Sequence, residues 1–368
     1  MNRTCYKKRS QNTWCLIFLV SLILIFLSWN SRASNHKLEL DETPADFYTS
    51  GKCPCSTGPI QYNYDLPNEH SLRMTPIKDQ GPLGTCVSFA SSAIAEYHYG
   101  SRFSEAEFTV LAQTNKLGNK CEGGLFLGNA LRVARQYGFV KEDVFGYSQY
   151  VRNVAIKNGI NINRLGWQDQ LREQDDAKIC NLNDYNGTMR EFGIDLTLTG
   201  NPASDFTDYR LSNLRVIHHS SKGAQAQALY RQSRIGVREL ERRLGNLSVS
   251  SSTLSKQTSA SIGKPLEADI ESVEKALCCG SPVVAALDVY ENCWDGLTTR
   301  NGYQISMPQR GAKIDGSHAI VIKGFDYNRE LFEIKNSWGT NWGNQGYAYL
   351  PYEYVKLYST ELVAVGRQ

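Results

Sequence analysis

Between Val87 and Tyr97 the apolar side chains Val87, Ala90, Ala93, Ile94 and Tyr97 recur at steps of three and four. That spacing gathers them on one face and predicts a helix. The helix is entered from a Gly-interrupted loop (Gln80, Gly81, Pro82, Gly84), and Cys86 falls where loop becomes helix. Two further amphipathic helices are expected, over 105–117 and over 125–137 (Leu127, Ala130, Leu131, Ala134), with Gly138 as the C-terminal stop of the second. Over 151–265 the periodicity weakens and Asn, Ser, Gln and Arg become common. This stretch reads as an elaboration on the main domain, mostly surface. It carries a strand at 214–217, one charged helical piece at 224–244 and a Ser/Thr-rich tail. Order returns at 267, with a short helix over 270–278 and then apolar, β-branched runs at 282–290, 318–325, 331–336 and 347–350 that read as strands. Helices first and strands afterwards argue for an α+β, two-lobe fold with a large insertion: a helical lobe and a β-sheet or barrel lobe, rather than alternating βαβ units.

Ahead of this pattern stand a basic flank (Arg3, Lys7, Lys8, Arg9), an uncharged run from Trp14 to Trp29 and the small residues Ser31 and Ala33. Basic, apolar and small-residue parts in that order make a secretory signal. The apolar run is shorter than the roughly 20 residues of a comfortable membrane span, so cleavage is expected ahead of the alternative, an uncleaved signal anchor. The domain reading is therefore 1–33 signal peptide or anchor, 34–63 short leader, and 64–368 one domain with its insertion at about 151–265. The rest of the chain is expected outside the cytoplasm, secreted or periplasmic, and touching membrane only through the N-terminal segment if that stays uncleaved.

Charge narrows the function classes. A net +3 with 21% charged residues gives no basic footprint for nucleic acid, and 20 Tyr with 6 Trp mark a chain ordered over most of its length. Ten cysteines are present, two of them in the signal region. In an exported chain the others can form disulfides. The Cys53–Pro54–Cys55 and Cys278–Cys279 pairs are too close to be ordinary internal staples. No CxxC pair faces a second one, so no zinc site is expected.

Cys86 stands where exposed helix N–H groups and the positive end of the helix dipole favour thiolate over thiol. Taken alone, a lone cysteine is as well explained as a small buried hydrophobe. The chain also offers His318 opening a strand, Asn336 closing the next one, and the Gln80 amide in the loop before Cys86. Nucleophilic catalysis by cysteine needs a thiolate, a base and an oxyanion donor. An Asn can fix the tautomer of the base. Singly, each residue has a plain structural reading, a packed His or a turn Asn. Together, in this order, they point to a Cys–His–Asn catalytic set.

Four stretches carry a resemblance. They are 75–90 (TPIKDQGPLGTCVSFA), 120–138 opening with KCEGG, 316–320 (GSHAI) and 335–347 (KNSWGTNWGNQGY). The chain resembles the papain-like cysteine peptidases, and its QGPLGTC sequence is nearer to their bacterial, xylellain-like branch. The resemblance implies a cysteine-type peptidase that hydrolyses peptide bonds through a thioester. In it Cys86 is the nucleophile, His318 the base, Asn336 its orienter and Gln80 the oxyanion donor, and Trp338 shields the Asn–His bond. Gly123 and Gly124 would line the cleft. Leu125, Phe126, Ala286 and Ala319 would form an apolar pocket for an aliphatic or aromatic side chain two residues before the cut. Protein or peptide substrates, no cofactor, no metal and a monomer are expected.

The departures are equally specific. Leu83 stands where many members have a Cys bridged to the Cys of the Cys-x-Gly-Gly turn, so Cys121 loses that partner, and Val87 replaces a usual Trp. The leader is too short for the family's large inhibitory prodomain. His218–His219 raises the alternative of an exopeptidase whose insertion closes one end of the cleft. A catalytically silent binding protein on the same fold is the other.

Overall fold

The structure, a computed structural model, describes residues 68–114, 125–173, 185–194, 209–219, 268–309 and 311–366. All belong to one compact unit, Leu40–Gln368. The expected signal, the leader, Cys121, Gly123, Gly124 and the charged piece at 224–244 lie outside the described residues.

Three helices follow the entry loop as the periodicity predicts: α1 (Cys86–Tyr99), α2 (Glu105–Thr114) and α3 (Leu127–Gln136). The stretch read as elaboration, mostly exposed or half-buried where it is described, carries more regular structure than its periodicity announced. Residues from 147 to 191 form α4 (Tyr147–Lys157), α5 (Trp167–Glu173) and α6 (Tyr185–Glu191). These helices have a core of their own, in which Phe145, Tyr150, Val154, Leu171 and Met189 pack with Leu83, Ala106 and Val110. The weak periodicity misled because α5 and α6 are too short to show a face: Leu171 is the buried residue of one, Thr188 and Met189 those of the other.

The strands form one antiparallel sheet. β1 (Glu69–Ser71) pairs with β4 (Ile314–Asp326), and the remaining order is β2 (Leu214–His219), β7 (Ser359–Val365), β3 (Val283–Tyr290), β4, β5 (Leu331–Lys335) and β6 (Tyr347–Pro351). Two helices accompany it, α7 (Ile270–Cys278) and α8 (Tyr352–Tyr358). Side chains alternate between two cores. Val283, Ala285, Leu287, Ile320 and Ile322 face the α7–α8 side, while Val284, Ala319, Val321, Val363 and Val365 face the α1–α3 side. Residues 283–287 of β3 and 319–322 of β4 lie between the two cores, which is why these segments read as continuous apolar runs rather than alternating ones. Cys278 and Cys279, which looked too close together for ordinary staples, are both disulfide-bonded.

Residues 69–80, the strap that leads to α1, are bound to the sheet lobe by several contacts, two of them beside the site. The Gln80 N–H donates to Ser337 O at 2.8 Å, and Gly346 lies so close to the strap that a Cβ there would sit 2.5 Å from Ile77. Gly346 also has a φ of +89°, so both space and backbone demand glycine. Among the described residues no helix is long and apolar enough to cross a membrane.

Candidate active site

Cys86 is the first residue of α1, half-buried, and packs against the core that contains Ala319. Ala319 follows His318 on β4, so the helix packing brings the thiol to the strand that carries the imidazole. His318 is buried, and its Nε2 lies 2.7 Å from Asn336 Oδ1. The orientation of the Asn336 amide is settled by a neighbour: the Ser337 backbone N–H donates to the same oxygen at 2.8 Å. A backbone N–H can face only an acceptor, so the atom between it and the ring is oxygen. His318 Nε2 therefore donates, which makes it the protonated nitrogen and leaves Nδ1 with the lone pair. Trp338 stacks on the ring at 4.6 Å and Trp294 meets it edge-on at 5.9 Å. Burial under these rings pushes the His318 pKa down to about 4, and the Asn336 bond opposes the shift only in part.

Gln80 is buried and held on three sides. Its Oε1 accepts from Ser337 Oγ at 2.7 Å, its Nε2 donates to Leu83 O at 2.9 Å, and its backbone N–H is tied to Ser337 O as described. The bond to Leu83 uses one of the two amide protons and leaves a second for another acceptor. The N–H of Cys86, at the first helical position, has no intrahelical carbonyl. The structure thus brings Gln80, Cys86, His318, Asn336 and Trp338 into one region, while Gly123 and Gly124 fall outside the described residues.

The expected apolar pocket is placed in part. Leu125 and Ala319 are buried, Ala286 is half-buried, and Phe126 is exposed. Ala286 pairs with Ala319 on one side and with Glu361 on the other. Glu361 Oε2 accepts from the Gly128 N–H at 3.1 Å. The row is therefore not wholly apolar. The carboxylate escaped notice because it enters from β7, a strand that the sequence pattern did not announce.

Sequence reasoning also missed a charged cluster behind the site. Lys78 Nζ lies 2.7 Å from Glu96 and 2.6 Å from Glu105, and Glu96 accepts from Thr75 Oγ1 and the Phe103 N–H. Lys335 Nζ, next to Asn336 in sequence, donates to Thr75 O, Thr75 Oγ1 and Pro76 O. Burial pushes Glu105 up to about 7 and Lys335 down to about 8. A cavity of about 20 Å³ between these groups and Asn336 is large enough for one water. The available signal was Glu96, three residues beyond Ala93 on the apolar face of α1. No group of three or more His, Cys, Asp or Glu among the described residues could hold a metal.

Comparison with known proteins decides the fold. Over 82% of this chain and 87% of the other, it superposes on xylellain, a cysteine protease from Xylella fastidiosa, with a TM-score of 0.50 and 17% identity. The fold is papain-like. Within it, residues 225–362 match the model of the papain family cysteine protease. An uncharacterized peptidase C1-like protein of Acanthamoeba polyphaga mimivirus is 38% identical over 86 residues, 23% of this chain and 27% of that protein. A cathepsin B-like cysteine proteinase of Caenorhabditis elegans is 32% identical over 81 residues, 22% of this chain and 20% of that protein. The chain thus spans about a quarter of the length of the curated relatives it matches.

Proposed function

We propose that the chain is a cysteine peptidase that cleaves within polypeptides, with Cys86 as nucleophile. The observation that carries this is the oriented imidazole. His318 has its Nε2 proton fixed on Asn336 Oδ1 and its Nδ1 lone pair available, on the strand packed against the Cys86 helix. In the proposed reaction Nδ1 takes the thiol proton and the sulfur attacks the peptide carbonyl. The oxyanion is held by the second Gln80 amide proton and the Cys86 N–H. The imidazolium then protonates the leaving amine, and water hydrolyses the thioester by the same route. Trp338, stacked on His318, keeps water from the Asn–His bond. The pocket around Leu125, Ala286 and Ala319 supports an aliphatic or aromatic side chain two residues before the cut, with Glu361 adding a carboxylate at its edge. A peptidyl epoxide should label Cys86, read by intact mass and peptide mapping. Folded protein that takes up no adduct would sink the proposal.

The low pKa of His318 adds a signed expectation. Below about 4 the ring is an imidazolium and accepts no proton; above it the base is ready. The acid limb of kcat/KM should therefore fall near pH 4, well below an ordinary histidine near 6.5, and a limb near 6.5 would show that the ring is not buried as described.

Exopeptidase trimming is the second reading: His218–His219 closes β2, and His219 lies opposite Glu361 of β7 in the cross-strand row that continues to Ala286 and Ala319. A blocked-end peptide cleaved as fast as its free-end counterpart would remove it. The Trp14–Trp29 run supports export of the chain, and the short loop sequence with Leu83 and Val87 supports kinship with the bacterial branch.

A further inference from the structure

The Gln80–Thr85 loop carries one proposed oxyanion donor at its first residue and delivers the other, the Cys86 N–H, just beyond its last. Ser337 grips the Gln80 end. The rest of the loop is held from α4–α6. Leu83 is buried in their core with Phe145, Tyr150 and Met189. Tyr147, the first residue of α4, places its hydroxyl 2.9 Å from Gln80 O and 2.5 Å from Thr85 Oγ1.

The direction of these bonds follows from counting protons. A backbone carbonyl only accepts, so the single Tyr147 proton goes to Gln80 O, and Thr85 must then donate to the Tyr147 oxygen. Burial raises the Tyr147 pKa well above its ordinary value, so the hydroxyl stays a donor across any assay pH. Thr85 precedes α1 as its N-cap residue but makes no side-chain bond to the helix N–H groups. Threonine in this place normally caps. Here its hydroxyl is drawn to Tyr147 instead of to the first-turn N–H groups of α1. The Tyr147 ring is fixed in turn by an edge-on contact with Phe89 of α1 at 4.7 Å.

We propose that Tyr147 is a positioning residue for the oxyanion site: one hydroxyl ties the two ends of the Gln80–Thr85 loop and so sets the separation of the Gln80 amide from the Cys86 N–H. The first residue of α4 is then part of the catalytic apparatus. This rests on the peptidase reading given above.

Tyr147→Phe keeps the ring against Phe89 and removes only the tie. In the full chain, kcat for a peptide substrate should fall about tenfold while KM stays within about twofold, since small misplacement of a preorganised group acts on the transition state. A peptide aldehyde, whose thiol adduct puts an oxygen in the oxyanion site, should bind about tenfold more weakly. The unreactive peptide of the same sequence should bind unchanged. Thr85→Val should match Tyr147→Phe, and the double variant should be no slower than either, because both cut one connection. An unchanged kcat in Tyr147→Phe, or a loss explained by a raised KM and a lowered melting temperature, would overturn the assignment alone. A wild-type chain that cleaves nothing would overturn the peptidase reading and this proposal with it.

Discussion

Replacing Cys86 with alanine should lower hydrolysis of a casein-type substrate by at least roughly 10⁴-fold, because nucleophile and base act as a unit and neither retains much function alone. The variant should fold normally. The thiol is half-buried, Val87 to Glu96 supply the buried face of α1, and the helix stop at Gly100, whose N–H donates to Glu96 O, is untouched. The decisive measurements are turnover and melting temperature on the same preparation. A Cys86→Ala, His318→Ala double variant should be no slower than the single one. Turnover within tenfold of wild type in folded Cys86→Ala protein would mean that the chemistry lies elsewhere.

The second large effect is on stability. Lys78→Met fills similar volume but leaves Glu96 and Glu105, both buried, without the cation that lies between them. Breaking a buried pair from one side is expected to cost about 3–5 kcal/mol, or roughly 10 °C in melting temperature. The loss should depend on pH with a definite sign. Glu105 titrates near 7 even with Lys78 present, above the ordinary 4.5, and losing the cation can only raise it further. A carboxyl with a raised folded pKa contributes fully below the unfolded value and loses that contribution as pH rises through the folded one. Wild type and variant should therefore differ less at pH 4.5 than at pH 8. Adding Glu105→Gln should restore part of the loss. Equal melting temperatures at pH 8 would show that the cluster does not stabilise the fold.

How much of this could be read from the chain depends on where each signal is written. The α1 face, the buried strands and the set Gln80, Cys86, His318, Asn336 are legible because each is a matter of residue type at a position: a period of three and four, a continuous apolar run, a chemistry-bearing side chain at an element's end. Tyr147 is not, because it acts through a hydroxyl on a backbone carbonyl, and any residue could supply that carbonyl. Glu361 is not, because its place beside Ala286 is a fact of register between β3 and β7, which no local pattern states. Leu83 shows the two levels meeting. Its identity marks a departure from the pattern that the resemblance implies; only the packing reveals that an apolar anchor in the α4–α6 core holds the loop there. The core of α4–α6 was hidden by the brevity of α5 and α6 and by Asn, Gln and Arg on their outer sides.

The bonds between Gln80 and Ser337 join positions 257 residues apart, and β1 finds β4 across a similar distance. Contacts this remote form late, since the loop they close must be ordered before they repay it. A form in which these contacts have not closed lacks the assembled set of base, thiol and oxyanion donors. Under the proposed peptidase reading, cleavage would report that these long-range contacts have formed.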